Sequence, residues 1–187
     1  MKIYIIDTGS ANLNSVVQAF KRLGYEAVIS SDTDKMKDAD RLVLPGVGTA
    51  CAVMDGIEKF KLYDFILNTK KPLLGICLGM QIQATDSSEV PLNVAGEVIK
   101  CLDIVPSHVV KIPDTGLRLP HMGWNTVHHT DHPLFDGIKQ DAYFYFDHSG
   151  RSIYNRHNRV WRTVLICYRS RQLYGRSVPP REVISSW

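Results

Sequence analysis

No stretch of this 187-residue chain comes near the roughly 18 consecutive apolar residues of a membrane-spanning helix, although 44% of it is hydrophobic. The start, Met1 to Asp7, has too short an apolar part and no cleavage-like site for a secretory leader, so no membrane partner is expected. Cysteine is sparse: Cys51, Cys77, Cys101 and Cys167 form no C-x-x-C pair and no small-disulfide density, which predicts a reduced, cytoplasmic setting. Internal repeats and low-complexity segments are missing too. So is lysine beyond Lys139. Residues 1–149 carry 11 lysines and 3 arginines against 18 acids, a net −4, whereas residues 150–187 carry 8 arginines against Glu182 alone, a net +7. Such a break ordinarily suggests a basic arm for nucleic acid or for an acidic partner. The length suits one domain, 1–187, with a sizeable core.

What is present is organised around Pro72-Leu-Leu-Gly-Ile-Cys-Leu-Gly-Met-Gln81. Pro72 to Ile76 is the short apolar run of a buried parallel strand, and Leu78 to Thr85 can continue as a helix. Cys77 then lies on the turn between them. Gly75-Ile-Cys77-Leu-Gly79 has the G-x-nucleophile-x-G form of a nucleophile elbow, whose glycines permit close backbone contacts that a Cβ would block. The thiol sits at the start of a helix, a setting that favours thiolate. The N–H of Leu78 becomes half of an oxyanion hole. The plain alternative is a buried cysteine in a glycine-punctuated core strand.

Upstream, Lys2–Ile6, Glu26–Ile29 and Arg41–Leu44 read as further buried strands. Between them lie a helix up to Leu23, with Leu13, Val16, Val17, Phe20 and Leu23 at helical spacing and Ser10 or Asn12 as cap, and a short polar helix Asp32–Ala39. Thr49–Phe60 and Leu62–Thr69 are helical. This alternation predicts an α/β fold, a three-layer, mostly parallel sheet with helices on both faces. Right-handed crossovers bring the loops after strands one, three and four to one sheet edge, carrying Thr8–Asn12, Pro45–Gly48 and Cys77. Beyond Ala84 shorter β-like pieces follow: Gly96–Cys101, Val109–Ile112, Trp124–His128 and Ala142–Phe146.

Pro45-Gly-Val-Gly48 lacks the G-K-[ST] ending of a P-loop and the full dinucleotide fingerprint, so no nucleotide cofactor is expected. Beside an elbow it is better suited to donating the second oxyanion N–H, from Gly46 or Val47. His128, His129 and His132 share no carboxylate or cysteine at ligand spacing; no metal site is expected, and they read as solvated surface histidines. Pro120-His-Met-Gly-Trp-Asn125 reads as a loop, either over a satellite cluster or as an interface hot spot. A cysteine nucleophile needs a base, and His121 and His148 are the candidates outside the basic segment, neither in a recognisable base motif.

Five motifs in order, Asp7-Thr-Gly-Ser-Ala-Asn-Leu-Asn-Ser15, Leu44-Pro-Gly-Val-Gly-Thr49, Leu74-Gly-Ile-Cys-Leu-Gly-Met-Gln81, Pro120-His-Met-Gly-Trp-Asn125 and Tyr143-Phe-Tyr-Phe-Asp-His-Ser149, give residues 1–149 a clear likeness. The chain resembles the class I (Cys-triad) glutamine amidotransferases. Within them it is similar to the glutaminase subunits that serve a (β/α)8 cyclase subunit, maker of imidazole glycerol phosphate and AICAR in histidine biosynthesis. The resemblance implies glutamine as substrate, Cys77 as nucleophile, Gly46, Val47 and Gly48 as the oxyanion strand, and Gln81 near the bound glutamine. It also implies a partner interface at Asn12, Pro120, His121, Met122, Gly123, Trp124 and Asn125, and it implies no cofactor. Related Cys-elbow peptidase-like hydrolases would share Cys77 but give no reason for the Pro120 motif.

The family pattern then calls for an Asn-Phe-x-Gly strand, a Phe-His-Pro-Glu segment bearing the catalytic His and Glu, and a last helix. Residues 150–187 contain none of them. With one nucleotide dropped, the codons of Val178–Ile184 can spell Phe-His-Pro-Glu-Arg-Ser, those of Arg171–Arg176 Asp-Asn-Phe-Met-Gly, and those of Arg159–Leu165 Glu-Tyr-Gly-Glu-Pro-Phe. Three ordered matches in one frame point to a frameshift near Ser149, leaving 150–187 an aberrant Arg-rich tail with the C-terminal strands and helix disrupted and the activity impaired. The rival expectation is a non-catalytic amidotransferase-like module whose tail, with Tyr154, Trp161, Tyr168 and Tyr174, binds nucleic acid.

Overall fold

The computed structural model describes residues 1–89, 98–111, 121–129, 131, 133–148, 150–154 and 163–164. In chain order the first half comprises β1 (Ile3–Ile6), α1 (Leu13–Arg22), β2 (Ala27–Ser30), α2 (Thr33–Met36), β3 (Arg41–Gly46), α3 (Ala50–Lys59), α4 (Tyr63–Asn68), β4 (Leu73–Cys77) and α5 (Leu78–Gln81). The second half comprises β5 (Asp86–Ser87), β6 (Ile99–Lys100), β7 (Ser107–Lys111), β8 (His121–Val127), β9 (Ala142–His148), β10 (Gly150–Tyr154) and β11 (Thr163–Val164).

The main sheet has the order β11-β4-β3-β1-β2, and all its pairings are parallel. Alternation along the strands splits its side chains between two cores. Ile3, Ile5 and Val43 pack with Phe20, Leu13, Val16, Val17 and Leu23 of the α1 side. Ile6, Leu42 and Leu44 face Val53, Ile57, Leu62 and Ile66 from α3 and α4 on the opposite side. A sheet apolar on both faces and covered on both is the three-layer arrangement that the strand–helix alternation predicts. The α1 stripe forms as its spacing requires, with Asn12 as cap, its Oδ1 accepting from Ser15 N at 3.4 Å. Thr49 and Asp32 cap α3 and α2 in the same way.

Strand order reverses between β1 and β3: the chain leaves β1 for β2 on one side and returns to β3 on the other. In open α/β sheets that switch point, at the carboxyl ends of the strands, is where a binding crevice opens. The loops after β1, β3 and β4 all emerge there.

Two expectations need correction. The helix after Cys77 stops after one turn rather than running to Thr85, because the carbonyls of Ile82, Gln83 and Ala84 are taken by the main chain of Leu102, Asp103, Ile104 and Val105. Residues 121–125 are not a loop either. They belong to β8, which pairs with β9 along its length, from His121 opposite His148 to Val127 opposite Ala142. A four-stranded sheet, β10-β7-β5-β6, stands apart from both. Pro120 and His132 lie outside the described residues, as do residues 155–162 and 165–187.

Candidate active site

Cys77 ends β4, caps α5, and holds φ +55 and ψ −120. A non-glycine residue in that region is strained, and the strain persists only where the surroundings impose it. Here backbone packing imposes it. A Cβ built on Gly79 would lie 1.9 Å from the carbonyl oxygen of Leu44, and one on Gly46 would lie 2.8 Å from the Gly79 nitrogen. α5 therefore rests directly on the end of β3, main chain against main chain, and the turn between β4 and α5 has no room to relax. The thiol at its apex is exposed.

The loops beside it are tied together. Val47 N donates to Ser10 O at 3.0 Å, Thr8 and Ser10 exchange a hydroxyl bond at 3.4 Å, and Gly9 N donates to Asp7 Oδ1 at 2.8 Å. Gly46 is the register partner of Cys77 across β3 and β4. The structure thus brings Thr8–Asn12, Gly46–Gly48, Cys77, Leu78 and Gln81 to one edge, as the motif order anticipates. One detail differs: the Val47 N–H, offered by sequence as an oxyanion donor, is engaged by Ser10. Gln81 is partly buried, and its Oε1 is enclosed without a hydrogen-bond partner. An enclosed carbonyl lacking a donor is an acceptor in waiting.

The other described cysteines have different surroundings. Burial, with the Asp86 charge adding to it, pushes the Cys101 thiol up to about 11. Desolvation and then Asp55, which accepts the Cys51 thiol's hydrogen bond, raise Cys51 as well. Among the described histidines, His108 is held by Asp86 at 2.9 Å, His128 by Asp141 at 3.1 Å, and His129 by the Ile138 carbonyl at 3.0 Å. His121 and His148 are register partners at one end of the β8–β9 ribbon. Among the described residues no group of three or more His, Cys, Asp or Glu side chains could hold a metal ion, and no helix is long and apolar enough to cross a membrane.

A strained, exposed cysteine between two glycines, on a parallel sheet whose neighbouring loops present main-chain N–H groups, is equipped for acyl transfer through a thioester. The sequence matches the family described as "Glutamine amidotransferase class-I" over residues 4–172, and the chain belongs to that family. Its curated relatives are narrower in kind. It is 51% identical to the imidazole glycerol phosphate synthase subunit HisH of Photorhabdus laumondii over 150 residues, 80% of this chain and 74% of that protein. It is also 51% identical to the same subunit of Mannheimia succiniciproducens over 154 residues, 82% of this chain and 76% of that protein. A glutamine amidotransferase of Thermotoga maritima shares the fold at a TM-score of 0.54 and 17% identity, covering 83% of this chain and 64% of the other.

Proposed function

We propose that this fold is a glutaminase subunit whose ammonia is used by another chain, the (β/α)8 cyclase subunit of an imidazole glycerol phosphate synthase. The Cys77 thiolate attacks the side-chain amide carbon of glutamine. The oxyanion of the tetrahedral intermediate is held by the Leu78 N–H and by the Gly46–Val47 turn, once the bond from Val47 to Ser10 is exchanged for one to substrate. Collapse expels ammonia, which takes up a proton as it leaves, and gives a thioester; water then releases glutamate and restores the thiol. Gln81, with its unserved Oε1, accepts from the bound glutamine. The observation that carries this reading is the imposed φ of Cys77 beside the β3 loop.

A glutamine-derived chloroketone tests it. The reagent carries its own leaving group, so it reports the thiolate and the pocket without requiring the acid that protonates ammonia. Peptide mapping at neutral pH should find Cys77 modified and Cys51 and Cys101 untouched. The Cys101 thiol is buried and pushed up to about 11, so it presents little thiolate to the reagent at neutral pH while the fold is closed. Modification of Cys51 or Cys101 in place of Cys77 would remove the basis for the assignment.

The partner surface is proposed on β8 and β9. In register, Trp124 stands opposite Tyr145 and Thr126 opposite Tyr143, so these side chains share one face of the ribbon with Met122. That face is apolar yet open: Met122 is 60% exposed, Trp124 49% and Tyr143 60%. Trp124 is braced edge-on by Tyr145 with ring centroids 5.6 Å apart. Large aromatic side chains held rigid in the open are what interface hot spots are made of. In a frame-corrected protein, Trp124→Ala should weaken cyclase binding about tenfold or more, read by calorimetry. Unchanged affinity and unchanged activation of glutamine hydrolysis would move the interface elsewhere. Asn12, exposed on the outside of the β1 loop, has its side chain engaged as the cap of α1, so its contribution to a partner would come from position rather than from a free amide.

A further inference from the structure

Behind Cys77 the elbow helix is completed by a side chain. In a continuing helix the amide of residue 83 would serve the carbonyl of residue 79. Here Gln83 N turns to Met80 O at 3.1 Å, and Gln83 Nε2 donates to Gly79 O at 3.0 Å in its place. The side chain is fully buried. It also lies on β4: a Cβ on Gly75 would sit 2.2 Å from Gln83 Nε2 and 2.8 Å from Gly79 O. The Gln83 main chain is anchored in turn, its carbonyl accepting from Ile104 N at 3.0 Å and Val105 N at 2.9 Å. Against this the other half of the amide, Oε1, is enclosed with no partner, a cost that an apolar side chain of the same length would not carry. A buried amide kept at such a cost, on the one carbonyl the shortened helix leaves unserved, has a task beyond filling space.

We propose that Gln83 is a positioning residue for the elbow: its amide replaces the missing helical N–H and fixes the Gly79 peptide between Gly75 and Gly46. The Leu78 N–H and the Gly46–Val47 turn are thereby kept at the separation an oxyanion needs. The inference rests on the reading of Cys77 as nucleophile. It implies that Gln83 matters to reactions passing through an oxyanion, here addition of the Cys77 thiolate to the chloroketone carbonyl, which re-forms as sulfur passes to the neighbouring carbon and expels chloride to leave a thioether, and not to direct displacement of iodide from iodoacetamide.

The test is a ratio of two rates at Cys77 in the full chain, with the glutamine-derived chloroketone and with iodoacetamide, plus a thermal melt. Gln83→Met keeps length and removes both polar atoms. It should lower the chloroketone-to-iodoacetamide ratio about tenfold or more, with the melting midpoint unchanged or raised. Gln83→Glu should restore the ratio near pH 6, because a carboxyl buried there stays protonated and can donate to Gly79 O. A ratio unchanged in Gln83→Met, with Cys77 still selectively labelled in the unaltered chain, would overturn the role of Gln83 and leave the reading of Cys77 standing. Loss of selective labelling in the unaltered chain would overturn both. Should Gln83→Met unfold, shown by Cys101 becoming reactive, Gln83→Glu decides alone: a ratio within about threefold of the unaltered chain supports the role, a lower one overturns it. Unfolding of both variants would also overturn it, since the side chain would then be a requirement of the fold.

Discussion

Gly79→Ala should abolish the selective chemistry of Cys77. The added methyl would meet the Leu44 carbonyl oxygen at 1.9 Å, its carbon at 2.6 Å and the Pro45 carbonyl carbon at 2.9 Å. All three are main-chain atoms of β3, so no side chain can turn aside to make room. α5 must lift off the strand. Overpacking of this kind costs about 1–3 kcal/mol in stability, which a melting curve will register. The larger effect is on geometry. Leu78 N–H travels with α5 while the Gly46–Val47 turn stays with β3, so the two halves of the oxyanion site separate. Loss of one oxyanion donor lowers rate by about 10²–10³, and alkylation of Cys77 by the glutamine-derived chloroketone, which passes through addition to its carbonyl, should fall by up to that factor. An unchanged rate with the chloroketone, with an unchanged melting point, would show that α5 does not rest on β3 as described and that the elbow carries no functional strain.

The elements legible in the sequence are those whose local pattern and tertiary role agree. α1 is such a case: its apolar stripe matches the helical period, Asn12 caps it, and the same stripe meets Ile3, Ile5 and Val43 across the sheet. The convergence of the β1, β3 and β4 loops is legible for a related reason, since parallel strands with right-handed crossovers leave few alternatives. α5 is misjudged in length because its end is decided by the distant segment Leu102–Val105, which takes the carbonyls that residues 86 onward would otherwise serve. The second half of β8 is legible as the β-like piece from Trp124, but its start, His121–Gly123, is misread as part of a loop because the exposure along the strand is inverted. Asn125 is 3% exposed while Trp124 beside it is 49% exposed, so polar residues point in and apolar ones out. An apolar face left open in this way, the surface proposed for a partner, defeats the rule that burial follows hydrophobicity. The bond from Val47 N to Ser10 O has no sequence signal at all, being a contact between main-chain atoms of two loops. Gln83 had none of its own either: the run Leu78–Ala84 holds two amides, Gln81 and Gln83, and only the fold buries Gln83 completely.

The chain of 187 residues, even beside the proposed cyclase, should hydrolyse glutamine about 10²–10⁴ times more slowly than a form carrying the proposed shifted frame beyond Ser149. The charge breaks at residue 150: residues 150–187 hold eight arginines and a single acid, Glu182, after a segment that is net acidic. The curated matches span 150 and 154 residues, and the family match runs to residue 172. The Phe-His-Pro-Glu segment that the resemblance calls for is not in that tail as written, and the codons for Val178–Ile184 can spell it one nucleotide out of frame. On the proposed frameshift, the base that would draw the proton from Cys77 and deliver one to departing ammonia is not encoded in frame. A general acid–base partner contributes about 10²–10⁴ in rate, and a thiol without one keeps its elbow and loses that factor. The deciding measurements are an intact mass on the purified protein, nucleotide sequencing across the codons for Phe146 to Arg151, and partner-dependent glutamine hydrolysis by both forms. A mass matching these 187 residues together with full hydrolysis would mean that a histidine or carboxylate within the chain as written serves Cys77, and would overturn the frameshift and the inactivity alike.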